Sequence, residues 1–115
     1  MNEHTLLDEQ KFSKMQKDKS ILELMKKLDP QLKANSLKIV DYWEADLCAI
    51  GLKKENRLIY ISTYNYLNND NMRYDFDLEL LINTNTPKSQ IIKEGRAVSE
   101  TELITEICSF LANGV

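Results

Sequence analysis

The clearest period in the chain is two. From Arg73 to Ile82, the residues Tyr74, Phe76, Leu78, Leu80 and Ile82 alternate with Arg73, Asp75, Asp77 and Glu79, and residues two apart on a strand share one face. This predicts a strand with an apolar side on a core and an acidic side in water. Upstream, short runs rich in β-branched and aromatic residues predict three more strands, over about Lys38–Trp43, Asp46–Lys53 and Arg57–Tyr64. Lys54-Glu55-Asn56 between the second and third is the short polar connection that a hairpin needs. The stretch Tyr66–Met72, with Asn68-Asn69-Asp70-Asn71, reads as a polar loop, and Asn83–Pro87 as a turn. After it, Gln90–Lys93 is either a short fifth strand or extended chain.

Both ends of the chain switch to helical spacing. Thr5–Leu28 is dense in Lys, Glu, Gln, Leu and Met, all good helix formers. Ser20 with Glu23 makes a capping box, Ile21, Leu24, Met25 and Leu28 then mark one face, and Pro30 is the expected stop. Residues 5–18 carry only Leu6, Leu7, Phe12 and Met15 as a stripe, compatible with a separate helix or with a continuous one. Near the other end, Ser99 and Glu102 make a second capping box, with Val98 and Leu103 as its hydrophobic staple. Leu103, Ile104, Ile107, Cys108 and Leu111 form a stripe able to cover a sheet, and Asn113-Gly114 is a suitable stop. The order predicts an α+β fold, an antiparallel four- to five-stranded sheet packed against N-terminal and C-terminal helices.

Composition narrows the function classes. At 115 residues the chain is expected to be one domain over 1–115, and with 43% apolar residues it can bury a core without disulfides or metals. Only three Gly and two Pro leave little material for phosphate-binding loops; Gly51 is read as a bulge or close backbone approach and Gly95 as a turn. No apolar run is long enough to span a membrane, and Met1-Asn2-Glu3-His4 lacks a signal pattern, so the expected location is cytoplasmic. Cys48 and Cys108, 60 positions apart within apolar patterns, are expected to be buried reduced thiols.

Charge is uneven. The net −3 is made of eight Lys against six acids before residue 39, four basic residues against eight acids over 39–87, and three against four thereafter. The acidic middle disfavours direct nucleic-acid binding, which relies on phosphate neutralisation, and the lysines Lys11, Lys14, Lys17, Lys19, Lys26 and Lys27 read as the solvent side of the first helix.

Catalytic constellations are sparse. His4, the sole histidine, lies beside the N-terminus, and neither cysteine has an identifiable activating base. Asp75, Asp77 and Glu79 recur about every 6.8 Å along one strand face. They can be a solvated face, a docking surface for a basic partner, or a metal site for a hydrolase, the first two being the simpler readings. Tyr42, Trp43, Tyr60, Tyr64, Tyr66 and Tyr74 lie in or beside the sheet, as core or as anchors for a protein partner.

The segments Ile39–Gly51, Arg57–Tyr64 and Tyr74–Glu79 resemble small immunity proteins of bacterial polymorphic-toxin systems, especially those of contact-dependent growth inhibition, over about residues 38–112. The resemblance implies a cytoplasmic, non-enzymatic antitoxin that binds the C-terminal domain of a toxin, often a nuclease, and blocks it. It assigns no contact residue. From charge and aromaticity we expect Asp41, Glu44, Asp46, Tyr64, Tyr66, Asp75, Asp77 and Glu79 to face a basic toxin, with no cofactor, metal, nucleic acid or membrane, and a monomer. The alternative is a small acidic secretion-chaperone-like module, which should be an obligate dimer.

Overall fold

The structure is a computed structural model that describes residues 16–42, 44–82 and 88–113. Helix α1 (Lys19–Ala34) begins after Asp18, whose side chain accepts the Ser20 N–H at 2.9 Å. The N-cap is therefore Asp18, not Ser20. The Ser20 hydroxyl has other work, donating to Asp18 Oδ2 at 2.6 Å and lying 2.7 Å from the Thr63 hydroxyl beyond the third strand. Residues 5–15 of the expected first helix, and His4, lie outside the described residues.

Pro30 does not end α1, which runs four residues further. A proline there removes the N–H that the Lys26 carbonyl would accept. Leu28 and Leu32, on either side of it, are both buried in the core and hold the helical path. The stop comes from a Schellman motif: the Leu37 N–H bonds the Leu32 carbonyl at 2.9 Å and the Ser36 N–H bonds that of Lys33 at 3.4 Å. Ser36 occupies the left-handed position with φ 55°.

Five antiparallel strands follow as a meander in chain order: β1 (Lys38–Val40), β2 (Ala49–Lys54), β3 (Arg57–Ser62), β4 (Tyr74–Ile82) and β5 (Lys88–Val98). Helix α2 (Glu100–Asn113) closes the fold. Glu55-Asn56 is the two-residue loop of the β2–β3 hairpin. β1 and β2 are shorter than expected, because residues 41–42 and 44–48 are turn and irregular chain, tied to the start of α1 by the Asp18 N–H to Leu47 carbonyl bond, 2.8 Å. β5 is far longer than Gln90–Lys93, spanning 11 residues. Two register shifts against β4 let it follow the twist, and Gly95 lies within the strand rather than in a turn. Gly51 pairs regularly with Val40 and Tyr60, so no bulge sits there.

The register sorts the side chains. Ile50, Ile61 and Phe76 stand in one cross-strand row and Ile39, Leu52, Ile59 and Leu78 in the next. Ile21, Leu24, Met25, Leu28 and Leu32 of α1 and Leu103, Ile107 and Phe110 of α2 complete that core. The Phe76 ring covers Gly95 so closely that a Cβ at 95 would enter it. The α2 start matches expectation, since Ser99 Oγ accepts the Glu102 N–H at 3.1 Å. Cys48 is buried; Cys108 is only half-buried, its Sγ 3.4 Å from Gln31 Oε1. No helix among the described residues is long and apolar enough to cross a membrane.

Candidate functional site

Both helices pack on one face of the sheet, and among the described residues no helix covers the other. Alternation sends Lys53 of β2, Leu58 and Tyr60 of β3, and Asp77, Glu79 and Leu81 of β4 to that open face. Leu58 stands opposite Glu79, and Tyr60 opposite Asp77. These four form the floor of a groove of about 850 Å³, with Tyr42 and Lys53 on one side and Ile82, Lys88 and Ser89 on the other.

The acidic row is not the solvated face its alternation suggests. Asp75 is 9% exposed and Glu79 8%. The reason is β5: a strand of 11 residues flanks β4 on its outer side, so β4 is an inner strand with neighbours on both sides.

Asp75 is a structural carboxylate. Its Oδ1 accepts the Tyr66 hydroxyl at 2.6 Å and the Ala97 N–H at 3.0 Å, and its Oδ2 accepts Asn65 Nδ2 at 3.2 Å. It thereby joins the 3₁₀ turn Tyr64–Tyr66 to the β5 bulge, where Ala97 sits at φ 54°. Burial pushes its pKa up, but these donors, with the nearby Arg96 charge, outweigh burial and hold the carboxyl below its ordinary range. The same bond raises the Tyr66 phenol, by favouring its protonated form beside the anion.

Asp77 pairs with Arg96 at 3.2 Å, and Arg96 also donates to the Phe76 carbonyl at 3.0 Å. Glu79 differs: it receives no hydrogen bond or ion pair from any described residue. Among the described residues no fully buried side-chain oxygen is left without a partner, so its carboxylate meets solvent, and the groove is the opening it lines.

Two acids of the 41–48 segment, Asp41 and Asp46, have internal partners. The Lys17 ammonium lies 2.8 Å from Asp41 Oδ1 and donates to the Asp46 carbonyl at 2.8 Å, while Asp46 Oδ1 accepts the Cys48 N–H at 3.0 Å. Lys17, read from sequence as solvent-facing, is thus buried, its side chain 1% exposed. Glu44 and Tyr64 are exposed, Tyr64 at 68%. Trp43 lies outside the described residues.

Of the eight expected partner-facing residues, the structure brings Asp77 and Glu79 together in the groove and ties Asp75 to Tyr66. It places Asp41 and Asp46 around Lys17, and leaves Glu44 and Tyr64 exposed. Leu58, Lys53 and Lys88 are groove residues that the sequence reading did not single out. Their signal is the β2–β3 hairpin register, which sets Leu58 between Lys53 and Glu79. Along one strand the carboxylates point outward at intervals too long to chelate an ion. Among the described residues no three His, Cys, Asp or Glu side chains converge on a metal position. Burial pushes the Cys48 thiol up, away from the reactive thiolate, and pushes the Tyr60 phenol up as well.

No family model matches the chain, and neither a curated protein nor a solved structure matches it.

Proposed function

We propose that this chain is an immunity protein: a cytoplasmic, non-enzymatic antitoxin of the contact-dependent growth inhibition kind. It binds the C-terminal domain of a cognate toxin, a basic nuclease, and occludes it as a monomer. The observation that carries the reading is the groove on the sheet face away from the helices, where Asp77 and Glu79 lie beside Tyr60 and Leu58. Carboxylates next to aromatic and apolar surface suit recognition of a cationic protein. The acidic balance of residues 39–87 would speed encounter with a phosphate-seeking surface through steering. The raised thiol of Cys48 and raised phenol of Tyr60 favour binding over nucleophilic chemistry.

The test is co-expression with the toxin encoded by the preceding gene, read as growth rescue and as co-purification. Rescue together with a complex supports the reading; neither one appearing refutes it.

A second reading, the secretion-chaperone-like module, draws on the exposed Ile91 and Ile92 of edge strand β5. It requires a dimer through that edge, so a monomer by light scattering removes it.

A further inference from the structure

We propose that the groove is a receptor for a single guanidinium side chain of a protein partner, with Glu79 as its principal anion. The inference rests on the binding reading above and names the chemistry recognised at that site.

A carboxylate held by a fold is ordinarily satisfied from within, as Asp75 is by three donors. Glu79 is 8% exposed, yet no described side chain or N–H reaches it, and its remaining surface belongs to the groove. Its cross-strand neighbours are Leu58 and Ile91, both apolar. An anion between apolar side chains, open on one side, has an unfilled requirement for a donor carrying positive charge. Lys53 and Lys88 line the same groove, but among the described residues neither makes an ion pair with Glu79.

The rest of the floor selects the kind of cation. Asp77, two residues along the strand, already holds Arg96 at 3.2 Å, and its second neighbour across the sheet is Tyr60. A guanidinium is planar, weakly hydrated and able to give a carboxylate two parallel N–H bonds while stacking on a phenol ring; an ammonium is a strongly hydrated point charge that does neither as well. The volume of about 850 Å³ also exceeds one side chain, leaving room for the backbone that carries it. Occupation of the groove by a partner arginine would neutralise Glu79 in a site shielded from water, where such a pair contributes most to residence time.

The probe is N-acetyl-arginine amide, titrated into the ¹⁵N-labelled full chain and followed by amide chemical shifts. Saturable shifts confined to Leu58, Tyr60, Asp77 and Glu79 are expected, with a Kd of about the millimolar order for so small a ligand. N-acetyl-citrulline amide, the neutral isostere, should produce none, N-acetyl-lysine amide should bind several-fold more weakly, and Glu79→Gln should abolish saturation while its spectrum remains that of the folded chain. Absence of saturable shifts, equal binding of citrulline or lysine, or undiminished binding by Glu79→Gln would each overturn the proposal. The two readings fail separately. If the arginine probe saturates the groove but the toxin domain does not bind, the immunity reading falls; if the toxin domain binds Glu79→Gln with wild-type affinity, the guanidinium site falls.

Discussion

The Tyr66 hydroxyl donates to Oδ1 of Asp75 across 2.6 Å, and through this bond a loop turn and a strand bulge share one carboxylate. Both groups are shifted in the sense that protects the bond: Asp75 below its ordinary 3.8, Tyr66 above its ordinary 10.0. The depressed carboxyl contributes stability above pH 3.8 that is lost as pH falls through its lower folded value. The raised phenol contributes stability below pH 10.0 that is lost as pH rises through its higher one. Asp75→Asn should therefore cost about 2 kcal/mol at neutral pH, a gap that narrows towards both extremes in urea melts run across pH. Tyr66→Phe should weaken the same window and bring the Asp75 pKa back towards 3.8 by NMR titration. A loss independent of pH would contradict this role.

Gly95 is required by the Phe76 ring that lies over it. Gly95→Ala should destabilise by about 2–3 kcal/mol through overpacking. Phe76→Leu added to it should recover part of that loss, giving a favourable coupling in a double-mutant cycle. Strict additivity of the two changes would show that the contact does not set the need for glycine.

Ser36 closes α1 at φ 55°, a conformation that costs an L-residue about 1 kcal/mol and glycine almost nothing. Ser36→Gly should stabilise the chain by about 0.5–1 kcal/mol, seen as a melting temperature a few degrees higher. No gain would mean that the Ser36 side chain compensates the strain.

Lys17 holds the 41–48 turn from beneath, through Asp41 and the Asp46 carbonyl. Lys17→Met should cost about 2–4 kcal/mol, since it strips a buried charge from its acceptors. Asp41→Asn should lower stability by less, Asp41 being partly exposed, and leave affinity for the proposed toxin partner unchanged. A large affinity loss with unchanged melting temperature would return Asp41 to the binding surface.

The α+β architecture was legible because β4 alternates strictly and both helices carry regular apolar faces, and the Ser99 cap was legible as a local motif. The length of β5 was not. Its pattern, Lys88 to Val98, has exposed isoleucines and a glycine, and its pairing with β4 depends on two bulges that no local signal announces. Reading β5 as at most Gln90–Lys93 left its flanking of the whole of β4 out of view, so the β4 acids looked solvated. The Pro30 misreading has the same origin: packing of Leu32 outweighs a local break. Acidity marked Asp75, Asp77 and Glu79 alike, whereas their three different roles depend on Tyr66, Arg96 and the groove, partners fixed only by tertiary register.

The most direct test is calorimetric titration of the chain with the neighbouring gene's product that the immunity reading identifies as a toxin, in the wild type and in Glu79→Gln. The account predicts a one-to-one complex whose affinity falls at least tenfold in the variant. Wild-type protein that binds no toxin domain would contradict it.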